Sequence, residues 1–260
     1  MIQPKLDYYD IGHGVVAFSS TRNGGCSKGS YAEFNINCYC GDDEADVSTN
    51  REALCRLLGI GGDRLLMPHQ VHQTKVARVD EQLLARPEEE RRQQLDGYDA
   101  LMTDVAGVCI GVSTADCIPL LLFDGEHHAV CAIHAGWRGT VARIVERSVA
   151  AMTAAYGTRP SQLRSQIGPG ISLGSFEVGD EVYAAFSAAG FDMGAISRRE
   201  AKWHIDLPEC NRQQLVASGV PAQAIQVSGV CTYLQPDRYF SARRLGIHSG
   251  RIFTGIMLRQ

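Results

Sequence analysis

The sequence predicts an α+β protein, one domain over residues 1–260, built on mixed sheets. Strand-like apolar runs and helical patterns are interleaved but do not alternate strictly, as a doubly wound fold requires. Neither G-x-G-x-x-G nor G-x-x-x-x-G-K-[ST] occurs to mark a nucleotide-binding crossover. The 260 residues are 45% hydrophobic and 21% charged, without a fixed-period repeat or low-complexity linker, so they can bury one large core.

The elements follow in order along the chain. Val15 to Ser20 has the β-branched and aromatic content of a short strand, and Thr21 to Gly25 (TRNGG) that of a turn. The acidic patch Asp42 to Asp46 suits a helix N-terminus, and Val47, Leu54, Leu57 and Leu58 recur at helical spacing behind it. Leu65 to Val79 places a strand on each side of His72. Arg86 to Asp96 (RPEEERRQQLD) is the one dense charge run, and its mixed signs suit a solvated loop or helical excursion. Ala100 to His134 reads as three strands broken at Asp104 to Gly107 and Asp124 to His127. The middle one, Val108 to Phe123, is itself interrupted by the polar Ser113 to Asp116. Beyond Gly139, the residues Val141, Ile144, Val145, Val149 and Met152 trace one helical face that stops near Gly157. A strand over Leu163 to Ile167, helices over Gly179 to Ala189 and Pro208 to Ser218, and a strand over Ala224 to Ser228 complete the reading.

Charge and cysteine content exclude several classes. The 25 Lys and Arg against 29 Asp and Glu give a net charge of −4, with no basic run to neutralise a phosphate backbone, so no nucleic-acid partner is expected. The longest apolar run, Ile118 to Phe123, is too short to span a bilayer, and MIQPKLDYYD lacks a signal-peptide core. No membrane partner is expected, and the cytoplasm is the expected compartment. Nine cysteines, an odd number in a chain too large to need staples, argue against a disulfide framework.

Three segments carry chemistry: Gln70-Val71-His72, Thr114-Ala115-Asp116-Cys117 and His134-Ala135-Gly136-Trp137-Arg138-Gly139. Each places a metal-ligand type at the end of a strand-like run. Zinc accepts imidazole and thiolate together, and a catalytic site needs three protein ligands with a position left for water or substrate. His72, Cys117 and His134 supply such a set. The competing readings are a buried cysteine of the ordinary kind for Cys117, a satisfied strand histidine for His72, and His69 as a rival ligand. His127 and His128, at a predicted turn, are expected to be exposed.

Further segments extend the pattern: Thr21-Arg22-Asn23-Gly24-Gly25-Cys26-Ser27, Asp116-Cys117-Ile118-Pro119, Ile167-Gly168-Pro169-Gly170, Phe176-Glu177-Val178-Gly179, Cys231-Thr232, Phe240-Ser241, Arg243 and Gly250-Arg251. Over nearly its whole length the chain resembles the bacterial family labelled multicopper polyphenol oxidase (laccase) domain proteins, peptidoglycan editing factors and purine nucleoside phosphorylases, with HAGWRG its most specific piece. Gln73 stands where that family commonly has Gly, and Ala242 where an aromatic residue precedes the arginine. The resemblance implies a layered α/β/β/α domain, a zinc site formed by His72, Cys117 and His134, phosphorolysis of adenosine, inosine and methylthioadenosine, and adenosine deamination. Its partners would be a purine nucleoside and inorganic phosphate.

An open three-ligand zinc site activates water near neutral pH, which accounts for deamination. Phosphorolysis needs in addition a phosphate clamp. Arg22 in its glycine-rich loop is the first choice, since guanidinium binds phosphate bidentately, with Arg243 and Arg251 next. Asp116 is expected to orient a ligand or move a proton, and Glu177 to do likewise or cap the following helix. Three alternatives stand beside this. A cysteine hydrolase editing UDP-muramyl amino acid precursors would use Cys117 as nucleophile and His134 as base. A copper-dependent polyphenol oxidase would use the same ligands, with copper as a substitute metal. A true multicopper laccase, however, needs a larger set of histidines in His-X-His pairs, and this chain has eight histidines and no such pair. A structural zinc would recruit His69, Cys109 or Cys131 as a fourth ligand.

Overall fold

The computed structural model describes residues 2–259, which form four layers: a helix, a five-stranded sheet, a six-stranded sheet, and a second layer of helices. The layered α/β/β/α expectation is therefore met, with a small third sheet added. No helix among the described residues is long and apolar enough to cross a membrane.

The five-stranded sheet runs in the order Leu6–Tyr9, Val15–Ser20, Ile252–Leu258, Cys109–Thr114, Leu65–Leu66. The six-stranded sheet runs Ile225–Val227, Arg164–Ile167, Ile118–Asp124, Ala129–Ala135, Ala100–Thr103, Val76–Arg78. Both are mixed, because Leu65–Leu66 pairs in parallel with Cys109–Thr114, and each edge strand of the larger sheet is also parallel to its neighbour. The strands that flank His72 consequently lie in different sheets. The third sheet joins Glu177–Val178, Trp203–Ile205 and Ser197–Arg199.

Strand alternation assigns the layers. In Ala129–Ala135, Ala129, Cys131, Ile133 and Ala135 pack toward the helices Ile144–Tyr156 and Leu207–Ala217, while Val130 and Ala132 face the other sheet. In Cys109–Thr114, Ile110 and Val112 meet them from the five-stranded sheet, and Cys109 points outward with Phe253 and Met257 against Leu54 and Cys55 of helix Glu44–Leu58. Strands between two covered faces are apolar on both. That is why Ile118–Asp124 reads as a continuous run and is buried throughout. Full burial of each such Leu, Ile or Phe contributes roughly 1.5–3 kcal/mol.

Helix Glu44–Leu58 starts where the sequence places it. The Asp43 carboxylate accepts the N–H groups of Ala45 and Asp46, Glu44 and Asp46 complement the macrodipole, and Gly59 closes the helix at φ 70°. Leu207–Ala217 is capped by Asp206 with Pro208 in its first turn. The helix expected from Val141 onward is two: Trp137–Val141 ends, Arg143 turns through the left-handed region at φ 65°, and Ile144–Tyr156 begins. Val141 thus belongs to the shorter helix, which carries the last three residues of the HAGWRG segment, Trp137 to Gly139, while His134 and Ala135 end the strand before it. The charge run folds partly as helix Glu88–Gln94.

Candidate metal centre

The two sheets end together at one edge of the inter-sheet space. His134, next to last in its strand, lies on the same inner face as Val130 and Ala132, and Cys117 immediately precedes the neighbouring strand, where Pro119 pairs with His134. His72 sits on the connection between the sheets, held at φ 60°. The ligand atoms of His72, Cys117 and His134 lie within 4.8 Å of one another, and among the described residues this is the one such cluster. Cys117 Sγ is 3.9 Å from His72 Nε2. A tetrahedral ion with S and N bonds of zinc length would set that edge at about 3.6 Å.

Several features fit the trio to a metal. Asp99, fully buried, is the shared anchor: its carboxylate accepts His134 Nδ1–H at 2.7 Å and the backbone N–H groups of His72 at 2.9 Å, Gln73 at 2.7 Å and Val71 at 3.3 Å. One carboxylate therefore orients the buried imidazole through its ring and the exposed one through its turn, leaving Nε2 as the remaining nitrogen of His134. Gly136 supplies room. A Cβ there would lie 2.9 Å from His72 Cδ2 and 3.1 Å from Cys117 Sγ. Thr114, three residues before Cys117 and by alternation on the inner face with Ile110 and Val112, has a buried Oγ1 without a hydrogen-bond partner among the described residues.

Electrostatics favour the ligand form of the thiol. Burial alone would raise Cys117, but the neighbouring His134 and His72 bring it down to about 6. Burial would lower His134, yet the Cys117 thiolate and Asp99 raise it to about 9. Asp99 is pushed up by burial and, more strongly in sum, pulled down by His134 and the N–H groups of Gln73 and His72, so it stays below the usual carboxylate range.

The other predicted residues separate. Asp116, in the left-handed region at φ 87°, spends its carboxylate on Thr232 Oγ1 at 2.7 Å and the Arg243 N–H at 2.7 Å, and its carbonyl on the Ile171 N–H at 2.8 Å. It ties three segments to the Cys117 strand. Arg243 is thereby held beside the centre, with one N–H on the Glu177 carbonyl at 3.0 Å and its guanidinium over Phe176. Arg22 is committed elsewhere: Nε donates to the Ala32 carbonyl at 2.8 Å and Nη1 to that of Pro236 at 2.7 Å. Arg251 donates to the carbonyls of Ser249, Gly250 and Ile247. Glu177 lies in a strand and pairs with Lys202, while Gly179 is the N-cap of the next helix, so Glu177 does not cap it.

The fourth-ligand candidates are not with the trio. Cys109 is in the outer core, Cys131 in the helical core, and His69 pairs with Asp96 at 2.6 Å. His128 is exposed as expected, but His127 is half-buried and bonds to Asp124 at 2.9 Å. Gln73 is accommodated because the residue needing the left-handed turn is His72.

Comparison with known proteins follows the same lines. A family model described as multi-copper polyphenol oxidoreductase laccase matches residues 16–259. The chain is 46% identical to a purine nucleoside phosphorylase of Bacteroides thetaiotaomicron over 97% of this chain and 93% of that one. It is 44% identical to an adenosine deaminase of an unknown prokaryotic organism, over 97% of each. The crystal structure of YlmD from Geobacillus stearothermophilus superposes with a TM-score of 0.89 at 32% identity, over 97% of this chain and 94% of that one.

Proposed function

The chain belongs to the multi-copper polyphenol oxidoreductase laccase family, and on that premise we propose that it is a zinc-dependent purine nucleoside phosphorylase acting on adenosine, inosine and methylthioadenosine, with adenosine deaminase activity. The observation that carries this reading is the clustering of the His72, Cys117 and His134 ligand atoms within 4.8 Å of one another, with both histidines anchored on the buried carboxylate of Asp99, in a chain 46% and 44% identical to a phosphorylase and a deaminase.

His72, Cys117 and His134 would hold the metal. Three protein ligands leave a position open, and zinc so bound supplies Lewis acidity and activates water near neutral pH. The chain's own groups do the rest. Asp99 fixes the proton of His134 on Nδ1, which leaves its Nε2 for the metal, and holds the backbone turn that carries His72. In phosphorolysis a phosphate oxygen bonds to C1′ as the C1′–N9 bond breaks, and the departing purine takes up a proton. In deamination water adds at C6 and ammonia leaves. Arg243 replaces Arg22 as the preferred phosphate clamp, because Asp116 anchors its backbone beside Cys117 and its guanidinium spends one bond on Glu177. Asp116, already bonded to Thr232 and Arg243, acts as a positioning residue. The compartment proposed is the cytoplasm.

A second reading has one specific observation in its favour: a low-pKa Cys117 beside His134, itself bonded to Asp99, is also a nucleophile, base and orienting acid. It would make the chain a cysteine hydrolase of cell-wall precursors. Metal content separates the two. Stoichiometric zinc that is lost, together with adenosine phosphorolysis, in Cys117→Ala supports the phosphorylase. Chelator-insensitive hydrolysis through a covalent Cys117 adduct supports the hydrolase.

A further inference from the structure

A crevice of about 310 Å³ opens between helix Glu44–Leu58, helix Glu88–Gln94 and the edge strand Leu65–Leu66. That volume lies at the lower end of small-ligand sites, roughly 300–1,000 Å³. None of its lining residues is a candidate metal ligand. Leu65 and Met67 belong to the outer core and Leu66 and Leu95 to the inter-sheet core, so the crevice opens at the Leu65–Leu66 edge of the five-stranded sheet, where the chain leaves one sheet for the other.

Its charges are unevenly satisfied. Arg51 gives one hydrogen bond to the Leu65 carbonyl at 3.1 Å, Arg91 one to the Asp63 carbonyl at 2.9 Å, and Arg92 meets Cys38 Sγ at 3.8 Å and the side chain of Tyr39, whose ring centre is 5.9 Å away. Among the described residues none of these three has a carboxylate within ion-pair distance. Their neighbours Arg56 and Arg86 each have one and Arg64 has two. The carboxylates that share the crevice have local reasons to be there: Glu44 and Glu88 stand in first helical turns, and Asp63 is beside Arg64. Each unpaired guanidinium keeps most of its five donors for an anion.

The rest of the crevice suits an organic body. Val47, Leu65, Met67 and Leu95 supply apolar surface, and the Tyr39 ring forms a wall. That wall is braced by His69, stacked at 4.5 Å and itself held by Asp96.

We infer that this crevice is a second ligand site, for an organic phosphate monoester with a flat apolar body, its phosphate held by Arg51, Arg91 and Arg92. It is independent of the reading of the metal centre. The probe is adenosine monophosphate, titrated calorimetrically into the zinc-loaded full chain, with adenosine and inorganic phosphate as separate arms. The expected result is one-to-one binding of the monophosphate, tighter than either arm, in both wild type and Cys117→Ala. Removing a charged hydrogen-bond partner weakens binding by about tenfold or more, so an Arg91→Ala/Arg92→Ala double variant should lose at least that. Ser48→Glu, an exposed lining residue given a carboxylate, should lose as much without touching the arginines. Both variants should keep wild-type zinc content and phosphorolysis. Undiminished binding in both variants, binding lost in Cys117→Ala, or no binding up to millimolar monophosphate would each overturn the inference.

Discussion

Replacing Asp99 by Asn tests how far one carboxylate organises the centre. The side chain keeps its shape, but one of its two acceptor oxygens becomes an N–H₂ donor. With the amide nitrogen in the Oδ2 position, it faces the N–H groups of Gln73 and Val71, and two bonds to a charged acceptor are lost. At about 1.5–3 kcal/mol each for hydrogen bonds to charged groups, that is about 3 kcal/mol or more of stability. In the flipped orientation it faces His134 Nδ1, which can then only accept, so the imidazole proton moves to Nε2 and the ligand nitrogen is blocked. Either way the exposed His72 or the buried His134 is misplaced. Orienting partners of metal-bound histidines carry about 10–100-fold in metal affinity. Competition for zinc against a chromophoric chelator reads that loss, and the urea midpoint of the metal-stripped protein reads the stability. Asp96→Asn, which touches the exposed His69, is the control and should change neither. If Asp99→Asn bound zinc within twofold of wild type with an unchanged urea midpoint, Asp99 would not be the organising group.

Gly136→Ala places a methyl at 2.9 Å and 3.1 Å from the His72 and Cys117 side chains, so zinc affinity should drop at least about tenfold, while overpacking costs only about 1–3 kcal/mol in thermal stability. Arg243→Ala should raise KM for phosphate with little change in KM for the nucleoside, whereas Arg22→Ala should lower the thermal midpoint and leave KM for phosphate near wild type. In metal-stripped protein, alkylation of Cys117 should rise with a midpoint near pH 6, far below an ordinary thiol. The stability that the lowered Cys117 contributes is present above the ordinary thiol pKa and lost as pH falls through about 6. That from the raised His134 is present below the ordinary histidine pKa and lost as pH rises through about 9. A midpoint near pH 8.5 would remove the charged pair, and added zinc should block the alkylation.

Much of the fold was legible because its signals are local. The acidic patch that caps helix Glu44–Leu58, the stop at Gly157 and the covered strand Ile118–Asp124 all act through their own neighbours. The cluster of His72, Cys117 and His134 was legible because each member ends a strand-like run in polar company. Strand Ile252–Leu258 was not. It lies between two strands with both faces covered and has no alternation to announce it. Asp99 escaped for a different reason. It is one of 29 acidic residues, and nothing around it in sequence distinguishes a carboxylate whose four partners come from residues 71–73 and 134. The arginines show the same limit. Composition cannot tell that Arg22 is spent on two backbone carbonyls while Arg243 is held beside Cys117.

Phosphorolysis at a centre formed by His72, Cys117 and His134 leaves a product signature that depends on both phosphate and Cys117. Its most direct measurement is the release of free adenine from adenosine by zinc-loaded protein, with and without inorganic phosphate, in wild type and Cys117→Ala. Adenine together with ribose 1-phosphate, formed only when phosphate is present and only by wild type, is the predicted result. Equal adenine release without phosphate, or full activity in Cys117→Ala, would contradict it.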